Sequence, residues 1–265
     1  MRILLLGGGG FRGAIQVPIL EHLYKIHKYD FIYGNSVGAI NGIMFAQHQL
    51  PALRSIWESI SSRRSFMQAA WWWPFNGLYT LKPLRKLLET HVHLDDIQIP
   101  FAAGVVSLTT GEYYKIQATQ LATDAELQSV IEASASIPGL IKPKKIIIDN
   151  EIHWASDGGL RNIIPIPPLG NFTNVDIVTC QPVFGNSLPA YHNTLLSHTK
   201  RELEILENET LHGDIAEIKR RCGKSTQINI YCPKKHPRGY LDAHKETIQY
   251  RFMLGAHASQ HPTIF

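Results

Sequence analysis

The sequence predicts an α/β fold of three layers, in which a mainly parallel central sheet lies between helices. Residues 3–6 form a continuous apolar run, which is typical of a strand buried on both faces of a parallel sheet. A glycine-rich loop and an apolar pattern of helical period follow within residues 7–26. A second apolar run at residues 31–33 ends in another glycine-flanked turn, and residues 39–46 continue as a helix. Two successive strand–turn–helix units of this kind indicate a parallel α/β sheet.

The rest of the chain adds strands and helices to this beginning. The predicted strands are residues 101–108, 113–117, 175–180 and 228–233, and residues 146–148 and 152–155 are predicted to pair as a hairpin. The predicted later helices are a long one within residues 190–221 and a final one at residues 242–255. Pro18 should kink the first helix or mark its first turn.

Length and composition limit the class of protein. With 265 residues and 44% hydrophobic content, the chain can bury a full core, and we expect residues 1–265 to form a single domain. The formal charge of +4 is only mildly basic, and no RNA-binding or recognition-helix pattern is present, so no nucleic-acid partner is expected. The widely spaced Cys180, Cys222 and Cys232 form neither a disulfide framework nor a metal knuckle, which indicates a reducing compartment.

Targeting segments and bound groups are also not expected. No apolar run approaches the roughly 18 residues of a membrane span, and the N-terminal apolar run is too short for the core of a signal peptide. His91 and His93 are too close together for a helix-borne metal pair. We therefore expect a cytoplasmic protein with no signal peptide, transmembrane helix, metal or cofactor.

The loop at residues 7–13 is predicted to bind an anion. A glycine loop between a strand and a helix collects backbone N–H groups at the positive end of the helix dipole. Gly8, Gly10 and Gly13 also fit a dinucleotide fingerprint, but the next strand ends in Ser36 instead of an acid that could bind ribose. We favour an oxyanion hole beside a nucleophile on the next strand over a nucleotide site, and a merely structural glycine loop is the third alternative. Its candidate donors are the backbone N–H groups of Gly8, Gly9, Gly10 and Phe11.

The nucleophile is predicted at Ser36. The segment Gly34-Asn35-Ser36-Val37-Gly38 has the G-x-S-x-G pattern of a nucleophile elbow, in which a serine is exposed on a strained strand-to-helix turn. Gly34 and Gly38 remove the Cβ atoms that would clash in so tight a turn. The alternative is an ordinary glycine-rich turn in which Ser36 caps a helix.

Asp157 is a candidate base for this serine, although the segment taken alone favours an ordinary Asp-Gly turn that closes a hairpin. The hairpin delivers Asp157 at its end, and the Gly158 and Gly159 that follow allow a close backbone approach. Several histidines follow Asp157 in the sequence, so a Ser–Asp–His triad remains an alternative. Two observations count against it: only one strand–helix unit precedes Ser36, and none of these histidines falls in an obvious loop after a strand. Most of them are predicted on the polar faces of the last helices.

Four ordered motifs carry a resemblance to a known family. They are Gly8-Gly9-Gly10-Phe11-Arg12-Gly13, Gly34-Asn35-Ser36-Val37-Gly38-Ala39, the stretch ASASIPGLIKP at residues 133–143, and Asp157-Gly158-Gly159. In these motifs the sequence resembles the patatin-like phospholipases. It departs from their usual pattern at Asn35, where threonine is common, and at Phe11, where a smaller residue is common.

The resemblance implies a patatin-like fold and a lipid acyl hydrolase, of phospholipase A or lysophospholipase type. It also implies a Ser–Asp dyad, in which Asp157 contacts the Ser36 hydroxyl directly and no histidine is needed. Arg12 would brace the glycine loop, with a purely structural salt bridge as the alternative. The expected substrate is a phospholipid or another acyl lipid. The same dyad could serve an acyltransferase or an esterase of soluble esters, and a catalytically silent lipid- or partner-binding protein is the remaining alternative.

Residues 61–80 are the candidate lid or membrane-docking segment. Aromatic side chains beside arginines suit a lipid–water interface, so a transient, peripheral membrane contact is expected here. The candidate contact residues are Arg63, Arg64, Trp71, Trp72, Trp73 and Phe75. The alternative, a core helix that buries these aromatic rings, is about equally weighted. Whether a protein activator is needed is not visible in the sequence.

Overall fold

The computed structural model of the protein describes residues 1–70, 77–183 and 195–265. Its elements in chain order are β1 (Arg2–Leu6), a 3₁₀ turn (Gly10–Ile15), α1 (Gln16–Ile26), β2 (Phe31–Asn35), α2 (Val37–Ala46), α3 (Leu50–Ser59), β3 (Gln68–Ala69), β4 (Tyr79–Thr80), α4 (Lys82–His91), β5 (Phe101–Ser107), β6 (Tyr113–Gln117), α5 (Asp124–Ser134), β7 (Lys144–Ile148), β8 (Glu151–Asp157), β9 (Asn174–Val178), α6 (Leu195–Arg221), β10 (Gln227–Tyr231), α7 (Lys245–Gln260) and β11 (Thr263–Ile264).

The strands form one large sheet whose centre is parallel. Its order is β11-β10-β9-β1-β2-β5-β8-β7, with β6 paired to β5. The five central strands β10, β9, β1, β2 and β5 run parallel, and β6, β7, β8 and β11 add antiparallel pairs at the margins. Strands β3 and β4 form a separate small hairpin. The predicted mainly parallel sheet is confirmed.

Helices cover both faces of this sheet. Alternate residues of β1 enter two separate cores: Leu4 and Leu6 join the cluster that contains residues of α1–α5 and α7, whereas Ile3 and Leu5 join the cluster that contains residues of α6. Both faces of β1 are therefore buried, which explains why its sequence is apolar without alternation. The predicted three-layer architecture is confirmed, and the assignment of residues 1–265 to one domain stays a prediction.

Strand β5 brings the ends of two other strands together. Its residues 101–104 pair with β2, so that Asn35 lies opposite Gly104, and its residues 105–107 pair antiparallel with β8, so that Asp157 lies opposite Val105. Because β6 pairs with residues 102–106 of β5, it occupies the opposite edge. Strands β2 and β8 therefore share one edge of β5 and meet end to end, which brings the residue after β2 beside the last residue of β8.

The final helix differs from the prediction at both ends. It spans Lys245–Gln260 instead of residues 242–255. Asp242 lies before the helix, and its carboxylate accepts hydrogen bonds from the His244 N–H (3.1 Å) and the Thr247 hydroxyl (2.9 Å). Gly255 does not end the helix: a Cβ atom there would lie 2.1 Å from the Ile15 carbonyl oxygen, so this glycine permits close packing between α7 and the start of α1.

Pro18 lies in the first turn of α1, where its missing N–H has no intrahelical partner to lose. The long helix α6 begins at Leu195 among the described residues, and residues 190–194 of its predicted range lie outside them. Cys180, Cys222 and Cys232 are all free thiols. None of the helices formed by the described residues is both long and apolar enough to cross a membrane.

Candidate active site

Ser36 occupies a strained turn between β2 and α2. Its backbone has φ 54° and ψ −126°, a conformation that residues other than glycine rarely adopt. Its N–H donates to the Ser134 hydroxyl at 3.0 Å, and that hydroxyl donates to the Gly104 carbonyl oxygen at 2.7 Å. A Cβ atom at Gly38 would lie 2.3 Å from the Leu6 carbonyl oxygen, so only glycine allows α2 to start this close to β1. The geometry is that of a nucleophile elbow.

The Asp157 carboxyl lies against this serine at the end of β8. It accepts a hydrogen bond from the Gly159 N–H at 2.7 Å and lines the same cavity as Ser36. Burial raises the pKa of Asp157 to about 7, with a smaller upward contribution from Glu207, although the Ser36 side chain and the Gly159 N–H act in the opposite direction. A carboxyl group is therefore held beside Ser36 with a pKa near neutrality.

The glycine loop after β1 borders Ser36. A Cβ atom at Gly8 would lie 3.2 Å from the Ser36 Cβ. The Gly8 N–H already donates to the Ile163 carbonyl oxygen and the Phe11 N–H to the Tyr240 carbonyl oxygen, both at 2.9 Å. Neither the Gly9 nor the Gly10 N–H donates to the backbone of another described residue. Of the four candidate donors, Gly8 and Phe11 therefore already donate their N–H groups to backbone carbonyl oxygens, whereas Gly9 and Gly10 do not donate to the backbone of any described residue.

Positive φ angles orient these two N–H groups. Gly9 has φ 156° and Gly10 has φ 55°. A side chain would also collide at both positions, since a Cβ atom would lie 2.4 Å from the Cys180 Cβ at Gly9 and 2.9 Å from the Tyr240 carbonyl oxygen at Gly10. The loop conformation therefore requires glycine at both positions.

Arg12 is buried beneath the glycine loop. Its Nε donates to the Arg238 carbonyl oxygen at 2.9 Å and its Nη1 to the Gln181 side-chain oxygen at 3.3 Å. Its guanidinium also lies 4.0 Å from a carboxylate oxygen of Glu204 and of Glu207 on α6. These contacts join the loop to α6 and to the segments after β9 and β10.

The remaining predicted glycines are at points of close contact. A Cβ atom would lie 2.2 Å from Val37 Cγ2 at Gly13, 2.4 Å from the Gly38 carbonyl oxygen at Gly34, 2.5 Å from the Gly104 carbonyl oxygen at Gly158, and 3.0 Å from Asp157 Oδ1 at Gly159. Together they let the glycine loop, the elbow and the end of β8 converge.

A cavity of about 300 Å³ opens onto Ser36 and Asp157. It brings together the predicted Ser36, Asp157, Gly8, Gly9, Gly10 and Arg12, and adds Gln181, Glu207 and Tyr240, which sequence reasoning missed. Gln181 and Tyr240 lie in loops after β9 and β10. The rule that sites form at the carboxyl ends of parallel strands could have suggested them. Glu207 lies within α6, and no local motif marks it.

Histidines do not border this cavity in the described part of the chain. One expectation about them was wrong: His236 and His244 lie in the loop between β10 and α7 and not on a helix face. The segment after β10 needs this length to reach back to the glycine loop, where Tyr240 accepts from Phe11. His153 is buried on β8, and its Nδ1 lies 2.9 Å from the Ser107 hydroxyl oxygen.

A polar network lies behind the elbow. The Tyr113 hydroxyl donates to the Asn35 side-chain oxygen at 2.8 Å, and the Asn35 amide donates to the Asn162 carbonyl oxygen at 2.6 Å. The Asn162 amide then donates to Asp214 on α6 at 2.7 Å, and the other Asp214 oxygen accepts from the Ile164 N–H at 2.9 Å. This chain of hydrogen bonds holds the segment after Asp157 between the elbow and α6.

The candidate membrane segment is only partly described. Arg63 and Arg64 are exposed in a short 3₁₀ turn before β3, and Arg63 donates to the Tyr79 hydroxyl at 3.5 Å. Trp71, Trp72, Trp73 and Phe75 lie outside the described residues. Membrane contact by this segment stays a prediction.

Fold and site together define a class of protein: a three-layer α/β protein with a serine elbow, an adjoining glycine loop and a buried aspartate. The family model for patatin-like phospholipases matches residues 4–169, which is more than half of the chain. The chain belongs to the patatin-like phospholipase family.

Several named relatives share part of this chain. It is 26% identical over 172 residues to patatin-like phospholipase domain-containing protein 7 of Rattus norvegicus, an alignment that covers 61% of this chain and 12% of the relative. It is 25% identical over 191 residues to an uncharacterized NTE family protein of Mycobacterium bovis, covering 69% and 49% respectively. It is 22% identical over 188 residues to neuropathy target esterase sws of Drosophila melanogaster, covering 66% and 12%. The alignments therefore span half or less of these relatives' lengths.

Proposed function

We propose that the protein is a lipid acyl hydrolase of phospholipase A or lysophospholipase type, acting through a Ser36–Asp157 dyad. The observation that carries the proposal is the buried Asp157 carboxyl group, which lines the same cavity as Ser36 and whose pKa is raised by burial to about 7. A general base works best when its pKa is near the working pH, because it is then unprotonated yet basic enough to accept a proton.

The chemistry follows from the positions of these groups. Asp157 accepts the Ser36 proton while the serine oxygen attacks the ester carbonyl carbon and forms a tetrahedral intermediate. The negative charge on the carbonyl oxygen is stabilised by the N–H groups of Gly9 and Gly10, and one such donor typically contributes about 10²–10³ in rate. Asp157 then donates its proton to the leaving alcohol, and the acyl group remains on Ser36.

Hydrolysis of the acyl-enzyme repeats these steps with water. Asp157 takes a proton from water, the resulting hydroxide attacks the acyl carbon, and the proton returns to Ser36 as the fatty acid leaves. The proposed role of Arg12 is to hold the glycine loop in place, which its contacts with Gln181 and the Arg238 carbonyl oxygen support. No histidine takes part in this scheme.

The proposed substrate class is an ester of a membrane lipid. The names of the relatives, a patatin-like phospholipase and an esterase, support it. The cavity beside Ser36 also has an apolar margin, because Leu160, Leu203 and Leu206 line it and are each at least half exposed. Exposed apolar side chains around a cavity are suited to contact with a lipid surface. We therefore include a transient membrane surface among the proposed partners.

The test is lipid mass spectrometry of mixed phospholipid liposomes incubated with the wild type, Ser36→Ala and Ser55→Ala. Ser55 is exposed on α3, so its variant controls for the loss of a hydroxyl. We expect free fatty acid and lysophospholipid from the wild type and Ser55→Ala, and neither product from folded Ser36→Ala. Acyl groups found on an acceptor lipid would assign transacylation to the same dyad, and release only from soluble esters would assign an esterase. Equal release by wild type and Ser36→Ala would contradict the proposal.

A further inference from the structure

Ser36 borders a second cavity of different chemical character. This apolar cleft has a volume of about 30 Å³, and its walls include Phe11, Val37, Ile40, Phe66, Met67 and Leu84. Neither Asp157 nor Arg12 lines it, whereas both line the larger cavity on which Ser36 also opens. Among the described residues, Ser36 thus lines both a cavity that contains charged side chains and a cleft that contains none.

The two halves of an ester match these two cavities. The leaving alcohol must receive a proton from Asp157, so it belongs in the cavity that Asp157 borders. The acyl chain is apolar and gains free energy wherever its methylenes leave water. The apolar cleft is therefore the place for the first carbons of the acyl chain. A volume of about 30 Å³ is room for roughly two groups the size of a water molecule.

Met67 borders both this cleft and a much larger cavity. A third cavity, of about 900 Å³, is lined by apolar residues that include Met67, Ala69, Leu203 and Leu241, and also by the charged Arg63, Arg64, Glu204, Glu207 and Asp242. Of the described residues, Met67 is the one that lines both this cavity and the apolar cleft. It is 5% exposed, and it follows Phe66, whose ring stacks on Phe11 at 5.5 Å between centroids. Phe66 is held by this stacking, whereas a methionine side chain is unbranched and changes rotamer easily.

We propose that Met67 is the chain-length gate of the acyl site. Short acyl chains fit in the apolar cleft with the Met67 side chain in place, and a longer chain displaces this side chain and continues into the 900 Å³ cavity. The proposal rests on the proposed function, since it takes Ser36 as the acylated residue. It assigns to Met67 a part in choosing among acyl chains, with no part in proton transfer.

The test compares kcat/KM for p-nitrophenyl butyrate and p-nitrophenyl decanoate, below the micellar concentration of the longer ester. Met67→Ala shortens the side chain that lines both cavities, and each acyl methylene that then packs against their apolar residues is worth roughly a fourfold gain. We expect the decanoate-to-butyrate ratio to rise at least about tenfold in Met67→Ala, and to fall at least about tenfold in Met67→Trp, which fills the passage.

The matched control is Met44→Ala. Met44 is equally buried but lies on α2 and lines neither the cleft nor the larger cavity. It should lower stability through lost packing and leave the ratio within about twofold of wild type. If Met67→Ala does not fold, as judged by near-ultraviolet circular dichroism, Met67→Val provides a smaller truncation with a smaller rise expected.

The outcomes separate the gate from the dyad. The gate is overturned if the decanoate-to-butyrate ratio is unchanged both in Met67→Trp and in whichever of Met67→Ala and Met67→Val folds. The proposed function still stands in that case if butyrate hydrolysis is lost in Ser36→Ala. A change of equal size in Met44→Ala overturns the gate as well, because the effect is then one of packing. If no variant shows Ser36-dependent hydrolysis and a fluorophosphonate does not label Ser36, the proposed function fails and the gate fails with it.

Discussion

Replacing Asp157 with asparagine should remove activity and at the same time stabilise the fold. Burial raises the pKa of Asp157 from an ordinary 3.8 to about 7, so the folded protein holds the proton more tightly than the unfolded chain does. The contribution of Asp157 to stability is therefore fully present below pH 3.8, declines as the pH rises, and is lost above pH 7. At about 1.4 kcal/mol per pKa unit, the burial of the ionised carboxylate costs about 4 kcal/mol above pH 7.

Asparagine avoids this cost, because it stays neutral and keeps an oxygen that can accept from the Gly159 N–H and the Ser36 hydroxyl. We expect the free energy of unfolding of Asp157→Asn to exceed that of the wild type by up to about 4 kcal/mol at pH 8. Hydrolysis of p-nitrophenyl butyrate should fall at least about a hundredfold, since an amide cannot accept the serine proton.

The assay is urea unfolding of both proteins at pH 4 and pH 8, with ester hydrolysis measured on the same preparations. The two stabilities should approach each other at pH 4, where the carboxyl is protonated in the folded state. Near-normal hydrolysis by folded Asp157→Asn would refute its role as the base. A gain in stability of the same size at both pH values would refute burial of the charge as its cause.

In the wild type, kcat/KM should rise about tenfold per pH unit below an apparent pKa near 7 and level off above it, because Asp157 must be unprotonated; a flat profile between pH 5 and 8 would contradict this. Asn162→Ala removes the amide that donates to the buried Asp214 carboxylate, so urea unfolding at pH 8 should show a loss of about 1–3 kcal/mol, and an unchanged midpoint would contradict the network behind the elbow. A Trp72→Ala, Trp73→Ala double variant should bind liposomes more weakly than wild type in a flotation assay, and unchanged binding would count against the membrane segment.

The parts of the site that sequence predicted are local in the chain. The elbow at Ser36 and the glycine loop each follow a short apolar strand, so residue type and order were enough to locate them. Asp157 stands at the end of a hairpin arm whose apolar residues were visible as well. The meeting of Ser36 and Asp157 then follows from β2 and β8 sharing one edge of β5, a pairing that no local pattern specifies.

The parts that sequence could not predict depend on contacts between distant segments. Glu207 and Asp214 reach the site because α6 packs on the face of the sheet opposite the other helices, and their spacing in α6 resembles that of ordinary polar positions. The sequence pattern ends the last helix at residue 255, whereas α7 continues to Gln260 and Gly255 lies inside it, where it packs closely on Ile15. A glycine has the same appearance in sequence whether it ends a helix or admits a neighbour.

The claim that Asp157 activates Ser36 is tested most directly by labelling with a fluorophosphonate, followed by peptide mass spectrometry. We expect a phosphonyl group on the Ser36 peptide of the wild type, and labelling at least about a hundredfold slower in folded Asp157→Asn. Labelling at another serine, or equally fast labelling of Ser36 in Asp157→Asn, would contradict it.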